Sequence, residues 1–327
     1  MPAAIDTLDP ALARELEQVV VRTDGCTAVV DGHKLEANTP RHLSIYLRWA
    51  LYEFLHSGRP ADMYKNKDVE RDAALEARLT EAIPHRNSVT SARVHERRDG
   101  ELLVTIDGTR VRVPVERVVT DAPYHGDDVV YLAMPAARPA LSPGFFLTDG
   151  SRGRSVRKPT LRLYVNLESL AAAEEAWRLV LNCLEDRGVP YRLKVASSPH
   201  LVPRRDALVA YLGPESWDAV AEVASCVVDL PGRGSKVSVF AEQVAPGVSV
   251  AWQPFAERSG GQTGRSFGQH RATAVAEGLV GHVLGTRAGT REEAVAGALF
   301  DAGVDPSAPY RNLDSPQIGF DTVGSAR

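Results

Sequence analysis

The feature that most limits how this chain can fold is a strand–helix–strand block in its second half. Leu161–Leu167 is a strand-like run, Ser169–Arg187 has helical spacing, and Tyr191–Ala196 is a second strand-like run. Side chains on a strand alternate between its two faces. Arg162 and Tyr164 therefore share a face of the first strand, and Arg192 and Lys194 share a face of the second. The segment between them is long enough for a crossover helix, which predicts two parallel strands lying side by side. Those four polar residues then form one patch.

The flanking sequence extends the pattern. A strand is expected over Ala207–Leu212, a helix over Pro214–Ala224, a further strand-like run over Lys236–Phe240 and a helix over Phe267–Leu284. Upstream, Asp9-Pro10 opens a helix expected over 8–22, and Thr39-Pro40 opens an amphipathic one that stops at Gly58. Another helix is read over Asp68–Ala82, closed by Pro84. Asp107-Gly108, between Leu102–Ile106 and Arg110–Val115, is a strong hairpin signal. From Asp121 to Pro159, nine Pro and Gly residues mark loops around a short strand at Val129–Met134, and the Gly-rich stretch Arg258–Arg265 reads as a mobile lid. The fold class is mixed α+β: a helical and hairpin region over 1–120, then a catalytic-size domain over 121–327.

Composition excludes several function classes. With 44% hydrophobic and 24% charged residues, the 327-residue chain is globular, not disordered or fibrous. A net charge of −4 argues against bulk attraction to nucleic acid or anionic lipid. The longest apolar stretches, such as Val129–Ala137, are too short to span a bilayer. Asp6, Asp9 and Glu15 occupy a start that lacks a secretory signal pattern, and three scattered cysteines (Cys26, Cys183, Cys226) suit a reducing compartment, so a cytoplasmic location is expected.

The basic residues divide into 32 Arg and 6 Lys. A bias towards Arg costs little on a solvated face, but guanidinium cannot give up its proton where a base is needed. A lysine kept on a strand, as Lys194 is, is therefore a better base candidate than usual. Around it the sequence offers Arg162, Arg192, Arg204, Arg205, Lys158 and, at the start of the Phe267 helix, His270 and Arg271. Taken singly, each is what the wet face of a sheet or a surface ion pair carries. Taken together they are equipment for a phosphate dianion. HExxH, paired-cysteine, Walker, strand-following GxGxxG and GxSxG patterns are all missing from the sequence, and no metal or organic cofactor is expected.

Five blocks in order, Leu161–Leu167, Val189–Val195, Pro203–Val209, Ala245–Ala251 and Ser266–Arg271, resemble the HopA-type family, named for a bacterial type III secretion effector. The resemblance runs from about Arg41 to Leu284 and is strongest from Leu161 onward. Actinobacterial members of that family occur in the biosynthesis of ribosomally made, modified peptides, including thioamitides and class V lanthipeptides. The resemblance implies phosphoserine/phosphothreonine lyase chemistry: a partner kinase, similar to aminoglycoside phosphotransferases, phosphorylates a precursor peptide, and the lyase removes phosphate to leave dehydroalanine or dehydrobutyrine. Effector-type phosphothreonine lyases are a more distant match. They carry Lys-x-His on one strand, Lys-x-Lys on another and phosphate-binding arginines downstream. Here Arg162-x-Tyr164, Arg192-x-Lys194, Arg204-Arg205 and Arg271 stand in the same order, with Tyr164 where those lyases place an acid histidine.

β-Elimination needs a base for a weakly acidic α-proton and a clamp on the departing phosphate. Lys194 is the base candidate, Tyr164 or His270 the acid, and Arg162, Arg192, Arg204, Arg205, Arg271 and Lys158 the phosphate contacts. Two other readings use the same residues: a non-catalytic phosphopeptide- or leader-binding subunit of a kinase complex, and an effector acting on host phosphoproteins. Tyr46, Trp49 and Tyr52 give the Thr39–Gly58 helix more aromatic surface than one core stripe needs. That surface serves either packing onto the lyase domain or docking of the kinase or leader.

Overall fold

The computed structural model describes residues 7–63, 71–119, 128–254 and 266–320. Helix α1 (Pro10–Leu16) begins where the Asp9 carboxylate accepts from the Leu12 amide at 2.8 Å, and it is shorter than the 8–22 expectation. Three consecutive valines end it: Val19–Val21 is strand β1, as suits β-branched side chains. Strands β2 (Thr27–Val30) and β3 (His33–Glu36) complete a small antiparallel sheet. They are joined by Asp31-Gly32, both at positive φ, the tight hairpin turn that an Asp-Gly pair favours.

Helix α2 (Pro40–Leu51) is capped by Thr39 and runs on into a wider π-type turn over Tyr52–Ser57, which Gly58 ends at φ +72. Helix α3 (Ala73–Glu81) follows. Strands β4 (Asn87–Arg98), β5 (Glu101–Ile106), β6 (Thr109–Pro114) and β7 (Val129–Pro135) form a four-stranded antiparallel sheet, with Asp107-Gly108 turning β5 into β6. Its own core holds Ala92, Leu102, Val104, Val113, Val130 and Leu132. A boundary at Asp121 would cut this sheet between β6 and β7, because β7 pairs with β4.

The central sheet has seven strands: β8 (Ala137–Ser142), β9 (Phe145–Asp149), β10 (Leu161–Leu167), β11 (Tyr191–Ala196), β12 (Arg204–Leu212), β13 (Glu242–Ala245) and β14 (Val248–Trp252), in the order β13-β14-β10-β12-β11-β9-β8. Between β10 and β11 lies helix α4 (Leu170–Arg187), and after β12 comes the short α5 (Val220–Cys226) behind a 3-10 stretch at Pro214–Ala219. The expectation of adjacent parallel strands is corrected. β10 and β11 do run in the same direction, but β12 lies between them and is antiparallel to both. The α4 crossover leaves a one-strand gap, and the next strand fills it. The Lys236–Phe240 run is irregular chain and turn, not a strand; it tucks the Ser238 hydroxyl against His56.

Period-two alternation decides the layers. Leu161, Leu163, Val165, Leu193, Leu208, Ala210, Leu212, Val250 and Trp252 point to one face and pack against α4 and α5 around Trp177. Tyr164, Val209 and Ala251 point to the other, towards α1, α2, α6 (Phe267–Val283) and α7 (Arg291–Asp301). A capping box between Ser266 and Gln269 fixes the start of α6. The chain is an α+β fold of three layers with helices on both faces of an antiparallel sheet, not the mixed sheet of parallel and antiparallel strands that the strand–helix–strand pattern implied. The Arg258–Arg265 stretch lies outside the described residues. No helix among the described residues is long and apolar enough to cross a membrane.

Candidate active site

Cross-strand register builds the site. Arg162 on β10 and Arg192 on β11 are both direct partners of Tyr211 on β12, and Arg192 is also paired with Asp149 on β9. One row across the sheet therefore reads Arg162–Tyr211–Arg192–Asp149. The next row on the same face holds Tyr164, Val209, Lys194 and Leu147. Directly opposed residues are about 5 Å apart and diagonal ones about 7–8 Å, so Lys194 is within reach of Tyr211.

The helices on this face cover Tyr164 and Val209 but leave Tyr211, Arg192 and Lys194 partly exposed. There the sheet forms the floor of a cleft of about 600 Å³. Arg154, Ser155, Lys158 and Thr160, from the segment before β10, form a wall, and Gln253-Pro254 after β14 close another side. The sequence candidates Lys158, Arg162, Arg192 and Lys194 thus converge. The structure does not bring Tyr164, Arg204, Arg205, His270 or Arg271 to the cleft wall.

The cations on the cleft differ in how far they are balanced. Arg192 makes two hydrogen bonds to buried Asp149, at 2.6 and 3.0 Å, and Arg138 approaches the same carboxylate at 3.0 Å. Burial alone would lower the Arg192 pKa, and the Asp149 contacts raise it instead. Arg154 pairs with Asp107 at the hairpin tip. Arg162 donates to the neutral Gln253 amide, Lys158 to the Thr160 hydroxyl at 3.3 Å, and Lys194 lies with Nζ 4.3 Å from the Phe145 ring centre. Among the described residues, no carboxylate pairs with Arg162, Lys158 or Lys194. Partial burial, with the Arg154 and Arg162 charges, pulls the Lys158 pKa below its usual value, the signature of cations crowded without a counter-ion.

Tyr211 lies among them. The Arg162 guanidinium carbon sits 4.9 Å from its ring centre, and Lys194 is its diagonal neighbour across the β11–β12 pairing. Burial alone would raise the phenol's pKa, but the Lys194, Arg162 and Arg192 charges outweigh it and bring the pKa below the ordinary 10. Sequence reasoning missed Tyr211, Arg154 and Asp149. For Tyr211 a signal existed: alternation within Ala207–Leu212 puts it opposite Leu208, Ala210 and Leu212, on the same face as Arg162 and Arg192.

The remaining candidates hold the fold behind the cleft. Arg204 is buried in a two-bond pair with Asp206 at 2.6 and 3.0 Å, donates to the Tyr52 hydroxyl at 2.9 Å, and shares the Phe145 ring with Lys194. Arg205 reaches the Leu55 carbonyl. Arg271 is fully buried and donates to Pro309 O, Arg311 O and Asn312 Oδ1, tying the segment after α7 onto α6, with His270 beside it at 3.0 Å. Tyr164 is packed between His56 and Phe267. Its hydroxyl is buried without a hydrogen bond of good geometry, and burial pushes its pKa up despite the nearby Arg162 charge. Of the helix aromatics, Tyr46 is exposed, Trp49 is half-buried beside Arg48, and Tyr52 belongs to the Arg204–Asp206 cluster. No group of three or more His, Cys, Asp or Glu side chains among the described residues is placed to hold a metal ion.

The model of the HopA1 effector protein family matches residues 136–311, more than half of the chain and every strand of the central sheet. The chain belongs to the HopA1 effector protein family. The matched span contains every described residue that lines the cleft. No curated protein matches the chain. Among solved structures, the chain is similar to the effector protein from Pseudomonas syringae pv. tomato strain DC3000, with a TM-score of 0.46 at 14% identity over 84% of this chain and 91% of that one. It is also similar to the effector protein from Pseudomonas syringae pv. syringae strain 61, with a TM-score of 0.45 at 16% identity over 82% of this chain and 95% of that one.

Proposed function

We propose that this HopA1-family protein is a phosphoserine/phosphothreonine lyase that β-eliminates phosphate from a phosphorylated precursor peptide, leaving dehydroalanine or dehydrobutyrine. The observation that carries the reading is the cleft: Arg162 and Lys158 bring charge that no described carboxylate balances, Lys194 lies beside them, and Arg192 is held in place by Asp149. Such a group of donors suits a phosphate dianion and stabilises the charge that leaves with it. Lys194, on a central strand against an aromatic ring, takes the α-proton. A kinase acting earlier on the same peptide supplies the phosphoester, as in lanthipeptide-type biosynthesis.

The test is mass spectrometry of a phosphoserine or phosphothreonine peptide incubated with the protein alone. Loss of about 98 Da per site, the mass of phosphoric acid expelled in β-elimination, is expected. Tight binding with no mass change would instead make the protein a phosphopeptide-binding subunit.

A further inference from the structure

We infer that Tyr211 is the general acid of this elimination, protonating the phosphate as it departs. The inference rests on the lyase reading above and gives one of its steps to a residue outside the strand motifs.

Elimination from a phosphoester dianion must not release a bare trianion, so the bridging oxygen needs a proton as the carbon–oxygen bond breaks. The donor has to reach the phosphate and be close to the base. Tyr211 is the central residue of the floor row, directly opposed to Arg162 on one side and Arg192 on the other, so a phosphate held by those two arginines lies over its hydroxyl. Lys194, diagonal to Tyr211 across the same strand pair, lines the cleft beside it. The Arg162 and Arg192 guanidiniums, which stay charged while Lys194 is neutral, favour ionisation of the phenol and stabilise the resulting phenolate. Tyr164 and His270 lack this placement: Tyr164 is enclosed by His56 and Phe267, and His270 lies beside Arg271 on α6.

The protons balance. Neutral Lys194 takes the α-proton, the electron pair of the carbon–hydrogen bond forms the double bond, and the carbon–oxygen bond breaks. The Tyr211 proton goes to the leaving oxygen, giving hydrogen phosphate. The Lys194 ammonium then returns its proton to the neighbouring Tyr211 phenolate. Both residues end as they began, and the α-proton has moved to phosphate.

The experiment compares the wild-type protein, Tyr211→Phe and Lys194→Arg on a phosphoserine peptide and on the same peptide carrying O-sulfoserine, whose sulfate leaves without needing a proton. Tyr211→Phe should lower kcat on the phosphopeptide by about a hundredfold or more, the usual contribution of a general acid, and lower it far less on the sulfopeptide. Lys194→Arg should stop both. A second arm places 3,5-difluorotyrosine at position 211, which keeps the shape and acidifies the phenol. The alkaline limb of the kcat profile should then move to lower pH. Phosphopeptide turnover by Tyr211→Phe within about threefold of wild type, or an alkaline limb that difluorotyrosine does not move, overturns the acid assignment and leaves the lyase reading standing. A wild-type protein that eliminates nothing from the phosphopeptide sinks the lyase reading, and the assignment with it.

Discussion

Lysine and arginine are interchangeable where only charge is wanted and not where a proton must be accepted. Lys194→Arg should therefore bind a phosphopeptide with affinity close to wild type yet lose turnover by several orders of magnitude. Calorimetric titration alongside a mass-spectrometric time course separates the two, and near-normal elimination by this variant would reduce Lys194 to a phosphate contact. Asp149 has the opposite character: it is buried, takes no part in the proposed chemistry, and orients Arg192 while neutralising Arg138. Asp149→Asn leaves two arginines without their counter-charge, and should lower stability by about 3 kcal/mol, as breaking a buried pair does. An unchanged urea midpoint would show that water already satisfies both arginines. At this scale the sequence was legible wherever alternation alone decides the face: Arg162, Arg192 and Lys194 were found that way. Arg204, Arg205 and Arg271 carry the same formal charge, but their partners Asp206, Leu55 and Pro309 were chosen by tertiary packing, which strand periodicity does not encode.

Elements followed the sequence most closely where turn and cap chemistry agreed with periodicity. Asp31-Gly32 and Asp107-Gly108 turn hairpins, Thr39-Pro40 starts α2, and Ser266 with Gln269 starts α6. The order of strands was not legible, because a crossover helix fixes direction but not how many positions are skipped; here β12 took the gap between β10 and β11. Helix pairing was hidden for a related reason, since it depends on where two backbones approach. α6 and α7 meet at Gly278, where an added Cβ would lie 2.6 Å from the Val295 Cα and 3.0 Å from the Ala294 carbonyl oxygen. Those are backbone atoms of a packed helix and cannot swing aside. Gly278→Ala, which would raise intrinsic helix propensity, should instead destabilise the protein by about 1–3 kcal/mol, the usual cost of overpacking. A rise in thermal midpoint would mean that α7 moves away freely and that this contact is not a constraint on the fold.

Across the whole molecule, one buried polar cluster joins the N-terminal helices to the central sheet, and it makes stability depend on pH. His56, from the π-type turn, lies 3.4 Å from the Asp206 carboxylate on β12 and 2.8 Å from the Ser238 hydroxyl. The ionised Asp206 carboxylate can only accept, so the neutral imidazole carries its proton on Nε2, facing Asp206, and its Nδ1 accepts from the Ser238 hydroxyl. Tyr52, Glu53, Arg59, Arg162, Tyr164 and Arg204 are other charged or titratable groups around the cluster. Burial lowers the His56 pKa below the ordinary 6.5, more than Asp206 raises it, while Arg204 and His56 hold Asp206 well below 3.8 against the effect of burial. Both groups therefore bind fewer protons in the folded chain than in the unfolded one, each in its own window, and unfolding takes up protons. His56 contributes stability that is complete above 6.5 and lost as pH falls from there towards its folded value; the Asp206 contribution is lost only below 3.8. The urea midpoint should fall between pH 7 and 5, roughly where an unfolded histidine gains its proton, and fall again in stronger acid. His56→Gln should start lower, having lost an imidazole that fits its site, but its midpoint should change less across the first window. If wild type and His56→Gln share the same slope there, the acid sensitivity arises elsewhere in the chain.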